Sequence, residues 1–87
     1  MSSREGYAAR LGSFKKKPGN TYKKGFNIAV TDAVKAAKAS ETRECLMAYL
    51  QEKANAVSGY AGKEAGIADG YALAVRLLEE EREERKW

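Results

Sequence analysis

Histidine is absent from this 87-residue chain, and cysteine, proline and tryptophan each occur once. Without an imidazole there is no histidine general base, no Ser-His or Cys-His nucleophile and no histidine-ligated metal, which removes most hydrolase and zinc chemistries. Acid pairs such as Glu41 with Glu44, or Asp69 beside Gly70, fall on helix surfaces with no apolar enclosure in the sequence to tune a carboxylate for proton transfer. The expectation is a non-enzyme with no catalytic residues, no metal and no cofactor. Cys45 has no second cysteine to pair with, so no internal disulfide can support a thin core. Within the run Cys45-Leu46-Met47 it reads as a small buried hydrophobe in a reducing compartment. No stretch approaches the roughly 18 apolar residues of a membrane span, and Arg4 and Arg10 are not followed by the apolar segment of a secretory signal. The chain therefore reads as cytoplasmic, with no membrane partner.

What is present is a globular composition, 44% apolar and 32% charged, away from the one-sign, apolar-poor balance of disordered chains. A domain of this size buries only about two-thirds of the surface its unfolded chain exposes. A partner chain would supply the missing burial, and a homo-oligomer, simplest as a dimer, is expected.

Periodicity points to an all-α fold: two long antiparallel helices, one or two shorter N-terminal helices and a basic N-terminal loop or arm. Ser2 and Ser3 cap a first short helix whose apolar positions Tyr7, Ala8 and Leu11 are three or four apart, with Gly12 at its end. Gly12-Ser13-Phe14-Lys15-Lys16-Lys17-Pro18-Gly19-Asn20 reads as a loop, because Pro-Gly-Asn is a turn signal and adjacent lysines repel. From Tyr22, the apolar residues Phe26, Ala29, Val30, Ala33, Val34 and Ala37 follow helical spacing to about Lys38. The alternation Phe26, Ile28, Val30 beside Gly25 leaves a short strand over 26–30 as the alternative. Ser40 is expected to cap a helix from about Glu41 with Cys45, Leu46, Tyr49, Leu50, Ala54 and Val57 inward. After a break at Ser58-Gly59, Ile67, Ala68, Tyr71, Ala74, Val75 and Leu78 mark a last helix. Running from about Lys63 to Lys86 it would be ~36 Å long, with an end that protrudes or meets another chain. The organisation so read is a basic N-terminal helix or arm over 1–20 and a helical domain over 21–87.

Charge is the most informative feature. Residues 1–38 carry nine Lys/Arg against two acids, net +7, whereas residues 39–87 carry seven against ten, net −3. Such asymmetry is an electrostatic footprint, since cationic side chains displace counterions from a phosphate backbone. The candidate nucleic-acid-binding residues are Arg10, Phe14, Lys15, Lys16, Lys17, Tyr22, Lys23 and Lys24, with Phe14 and Tyr22 as stacking groups among cations. Tyr7, Phe14, Tyr22 and Phe26 fit equally a reading in which the rings anchor the core and the lysines form a solvated rim.

A second pattern is the series Ala54, Ser58, Gly62, Gly66, Gly70, Ala74, four residues apart. Glycine costs a helix roughly 1 kcal/mol relative to alanine. Gly62, Gly66, Gly70 and Ala74 are therefore expected where another backbone approaches closely, within the chain or across an oligomer interface. The alternative is a loop from Gly59 to Gly66 with accidental spacing. Gly59-Tyr60-Ala61-Gly62-Lys63 resembles the Gly-x-x-Gly loop of KH-type RNA-binding modules over five residues; that fold also requires a three-stranded sheet, which this alanine-rich chain hardly provides. Gly62-Lys63 is not a P-loop, because Glu64 follows where Ser or Thr is needed. The acidic run Glu79, Glu80, Glu81, Arg82, Glu83, Glu84, Arg85, Lys86 reads as a solvated helix end, or as a docking patch anchored by Trp87.

The leading expectation is a small helical binding protein whose basic N-terminal third engages nucleic acid or a nucleic-acid-bound complex. Its rival, by analogy of size and composition, is a phage- or plasmid-type accessory protein that inhibits or adapts a bacterial complex, such as a defence system, through protein contacts. A purely structural assembly subunit is the third.

Overall fold

The structure, a computed structural model, describes residues 3–17, 19–57 and 61–80. The expected break at Ser58-Gly59, the charged run beyond Glu80 and Trp87 lie outside them. Four helices account for most of the rest: α1 (Ser3–Gly12), α2 (Thr21–Ala39), α3 (Arg43–Ala56) and α4 (Gly62–Glu79). No strand occurs among the described residues, which removes the sheet that a KH module requires.

Residues 26–30 are helical, and burial explains why the strand alternative fails. Phe26, Ala29, Val30, Ala33 and Ala37 are all buried, a pattern with the period of a helix, whereas Ile28 is 48% exposed. A strand would have placed Phe26, Ile28 and Val30 on one face. Three helix ends follow from a nearby polar group, whereas α4 starts behind Ala61 without a side-chain cap. Asn20, in extended conformation, accepts the Lys23 amide at 2.9 Å and so caps α2. Ser40 does not open α3 as expected. Its amide (2.9 Å) and its hydroxyl (2.7 Å) both donate to the Ala36 carbonyl, closing α2, and Thr42 caps α3 by accepting the Cys45 amide at 3.1 Å. Arg43 donates to the Leu78 carbonyl at 2.8 Å, satisfying one of the free acceptors at the end of α4.

The core draws on every helix: Tyr7 and Leu11 from α1, Val30 from α2, Leu46 and Leu50 from α3, and Leu78 from α4 are its largest fully buried side chains. Tyr7 buries its ring and donates its hydroxyl to the Ala74 carbonyl at 2.7 Å, so its polar tip is not left unpaired. Residues 3–12 therefore share one core with the helices that follow them. Cys45, expected inward, is exposed. The buried stripe of α3 is Leu46 and Leu50, and Cys45 stands beside it on the rim of the α2–α3 groove, with Asp32, Lys35 and Tyr49.

Helix direction departs from the expected antiparallel long pair. The described helices of greatest length are α2 with 19 residues and α4 with 18. Their contacts advance together: Gly25 lies against Lys63, Gly66 against Tyr22 and Phe26, and Gly70 against Phe26 and Ala29. The two helices run parallel. The antiparallel neighbour of both is α3, as the Tyr49–Asp32 hydrogen bond (2.8 Å) and the Arg43–Leu78 bond (2.8 Å) show.

Small residues explain why α2 and α4 pair so closely. A Cβ at Gly66 would collide with the Tyr22 carbonyl oxygen and stand 2.7 Å from the Phe26 nitrogen, and one at Gly70 would stand 2.6 Å from the Ala29 Cβ. Gly25 answers from the other side, where a Cβ would strike the Lys63 carbonyl oxygen. The Gly66, Gly70, Ala74 stripe thus meets a matching stripe on α2, Gly25, Ala29, Ala33 and Ala37, all buried. Backbone meets backbone within one chain, so Gly66, Gly70 and Ala74 are not free for a second subunit. Gly62 is exposed, with φ of +60° and only the Thr21 hydroxyl beside its Cβ position, at 3.4 Å.

Candidate nucleic-acid interface

The basic cluster is built at the start of α2. Behind the Asn20 cap come Thr21, Tyr22, Lys23 and Lys24, and the first turn contains no acid. Two cations at the positive end of a helix dipole are placed against the usual preference. The preceding loop adds Lys15, Lys16 and Lys17, all exposed. It is fastened rather than free: the Lys16 amide donates to Asn27 Oδ1 at 2.8 Å, and Asn27 Nδ2 donates back to the Lys16 carbonyl at 2.6 Å. The Lys16 ammonium stands 4.8 Å from the centroid of the buried Phe26 ring, a cation–π contact that fixes the side chain further.

Parallel packing brings a residue to this end that the sequence did not assign there. Because Gly25 abuts the main chain of Lys63, the first turns of α2 and α4 lie side by side, and Lys63 stands next to the Lys23-Lys24 pair. Two positive helix ends and six lysines share one end of the bundle, with Glu64 as the acid in the first turn of α4. None of Lys15, Lys16, Lys17, Lys23, Lys24 and Lys63 is in an ion pair with a carboxylate among the described residues. The signal for Lys63 was the small-residue stripe of α2, which matches that of α4 and sets their register.

Two other candidates are placed differently. Arg10 forms an ion pair with Glu80 at 2.8 Å, at the C-terminal end of α4 and away from Lys63; an exposed pair of this kind stabilises little. Tyr22 donates its hydroxyl to the Asp69 carboxylate. That hydrogen bond, then burial and the Asp69 charge, raise the phenol above its ordinary pKa, and the ring is held against α4. Phe14 remains, 41% exposed.

One further polar cluster lies along the α2–α3 groove, where Asp32 accepts from Tyr49 at 2.8 Å and from Tyr71 at 2.6 Å. Burial first, and then the bond to Asp32, push the Tyr49 phenol up to about 12 and the Tyr71 phenol higher still. Tyrosines that hold their protons so tightly act as fixed donors to the carboxylate and tie the three helices together. Among the described residues no group of three or more acids and cysteines could hold a metal ion, and no helix is long and apolar enough to cross a membrane. Comparison with protein families, curated proteins and solved structures found no match.

Proposed function

We propose that this protein is a small non-enzymatic binding protein whose basic end engages nucleic acid or a nucleic-acid-bound complex. The observation that carries the reading is the gathering, around the paired N-termini of α2 and α4, of lysines that have no carboxylate partner among the described residues. A fold selected for stability alone would favour acids over lysines at both helix starts, whereas the first turn of α2 has no acid and that of α4 has only Glu64. Phosphate groups supply the opposite charge, and counterions released from them drive binding. The test is binding of labelled RNA and DNA at two salt concentrations. Wild type is compared with a variant in which Lys15, Lys16, Lys17, Lys23 and Lys24 are all changed to alanine. The reading predicts affinity that falls steeply with salt and collapses in the variant; no binding at low salt would refute it.

A second reading, an accessory protein that docks on a protein complex, is favoured by Ile28. This residue is 48% exposed on the outer face of α2, beside Asn27, Thr31 and Lys35. Self-association belongs here too, because the glycine face is already used inside the chain. Light scattering after size exclusion, with and without Ile28→Asp, distinguishes a dimer held by this face from a monomer.

A further inference from the structure

We propose that the lysine-rich end, with Lys63 as one of its contacts, grips the phosphate backbone of a double-stranded nucleic acid without reading its sequence; this rests on the nucleic-acid reading above. The fork of Arg and the amide of Asn or Gln read a base edge with two bonds at once, and among the described residues near the cluster Asn27 and the Asn20 oxygen are already engaged. Asn27 spends both its oxygen and its nitrogen on the Lys16 main chain, and the Asn20 oxygen is committed to the Lys23 amide. The guanidinium of Arg10 is bound to Glu80 at the other end of α4.

Stacking on unpaired bases takes successive exposed rings, and among the described residues these too are missing from the cluster. Phe26 is buried, 6% exposed, Tyr22 is tethered to Asp69, and of the described rings there Phe14 stays open. What remains is ammonium groups, point charges suited to phosphate. They are carried on two helix ends locked together by backbone contact and on a loop tied down by Asn27, with Gly25 setting Lys63 beside Lys24. Charges carried on a fixed main chain suit a stiff, charge-dense duplex backbone better than a flexible single strand.

The experiment is fluorescence anisotropy of the full chain with five probes: two DNA duplexes of equal length and unrelated sequence, an RNA duplex, and single-stranded DNA and RNA of that length. Each is titrated between 50 and 200 mM salt with wild type, Lys63→Ala and Phe14→Ala, and circular dichroism checks that each variant is folded. The two DNA duplexes should bind equally and at least tenfold more tightly than either single strand, losing on the order of a thousandfold between the two salt concentrations if all six lysines engage. Comparison of the DNA and RNA duplexes tells which form of backbone is preferred. Lys63→Ala should lower the slope of log K against log salt by about one, and Phe14→Ala should change nothing. Tighter binding to single strands that is lost in Phe14→Ala would overturn the duplex assignment while leaving the nucleic-acid reading in place. An unchanged slope in Lys63→Ala would remove that residue from the contact. Absence of binding to every probe at 50 mM salt would overturn both.

Discussion

The two sides of α4 are packed in opposite ways. Against α2, Gly66 and Gly70 leave no room even for a methyl group, and main chain touches main chain. Against α3, the contact is made by side chains: Leu46 and Leu50 fill the interior, and Arg43 reaches the end of the helix. A seam of backbone responds to substitution abruptly, because neither carbonyl can move without unwinding a turn. A seam of side chains yields by degrees, because rotamers adjust.

The sharpest way to break this comparison is Gly66→Ala. Alanine gains about 1 kcal/mol of helix propensity over glycine, yet its methyl group would meet the Tyr22 carbonyl and the Phe26 amide. Because the clash is with main chain, we expect an overpacking cost beyond the usual ~1–3 kcal/mol and a net loss of about 3 kcal/mol, read as a lower urea midpoint. Tyr71→Phe should cost less, about 1–2 kcal/mol, by removing one of the two hydroxyls that the Asp32 carboxylate accepts. At Leu50 the opposite of the glycine seam is expected: Leu50→Met should lose less than about 1.5 kcal/mol, since volume is nearly conserved and methionine adapts.

The tyrosine pair also gives the α2–α3 groove a pH dependence. An unfolded tyrosine loses its proton near pH 10, whereas burial and Asp32 hold the folded Tyr49 phenol up to about 12. The folded state then binds more protons than the unfolded one, so this contribution to stability is intact below pH 10 and declines as pH rises from 10 towards 12. Tyr49→Phe should flatten the decline in an alkaline denaturation series. The smallest effect is expected at Cys45: exposed on the groove rim, it should react readily with a maleimide in the folded protein and leave the unfolding midpoint unchanged.

The same contrast shows what the sequence could convey. Helix positions were legible because apolar residues recur with a helical period, and the short strand at 26–30 was a rival only until the exposure of Ile28 removed it. The glycine stripe of α4 announced a close backbone approach. Its partner was harder to see, because Gly25, Ala29, Ala33 and Ala37 look like the ordinary apolar side of a helix. Without that match the register of α2 and α4 was hidden, and with it the parallel direction and the arrival of Lys63 among the other lysines. Caps misled for a local reason. Ser40 and Thr42 are both good N-caps, and only the bonds from Ser40 to Ala36 show that it closes one helix while Thr42 opens the next. The lysines of the cluster were visible in the sequence, but the commitments of Arg10 to Glu80 and Tyr22 to Asp69 join residues far apart in the chain, which periodicity does not address.

The central claim, that α2 and α4 lie parallel within one chain and so bring their basic starts together, is tested most directly by a cross-link. In a Cys45→Ser background, Thr21→Cys and Gly62→Cys place thiols where the Thr21 hydroxyl now stands 3.4 Å from the Gly62 Cβ position, within reach of a disulfide, and circular dichroism of the reduced variant checks that a side chain at the positive φ of Gly62 leaves the helices intact. The account predicts rapid oxidation to an intramolecular disulfide that leaves the chain monomeric on a non-reducing gel. Thiols that stay free, or that link only between chains, would contradict it.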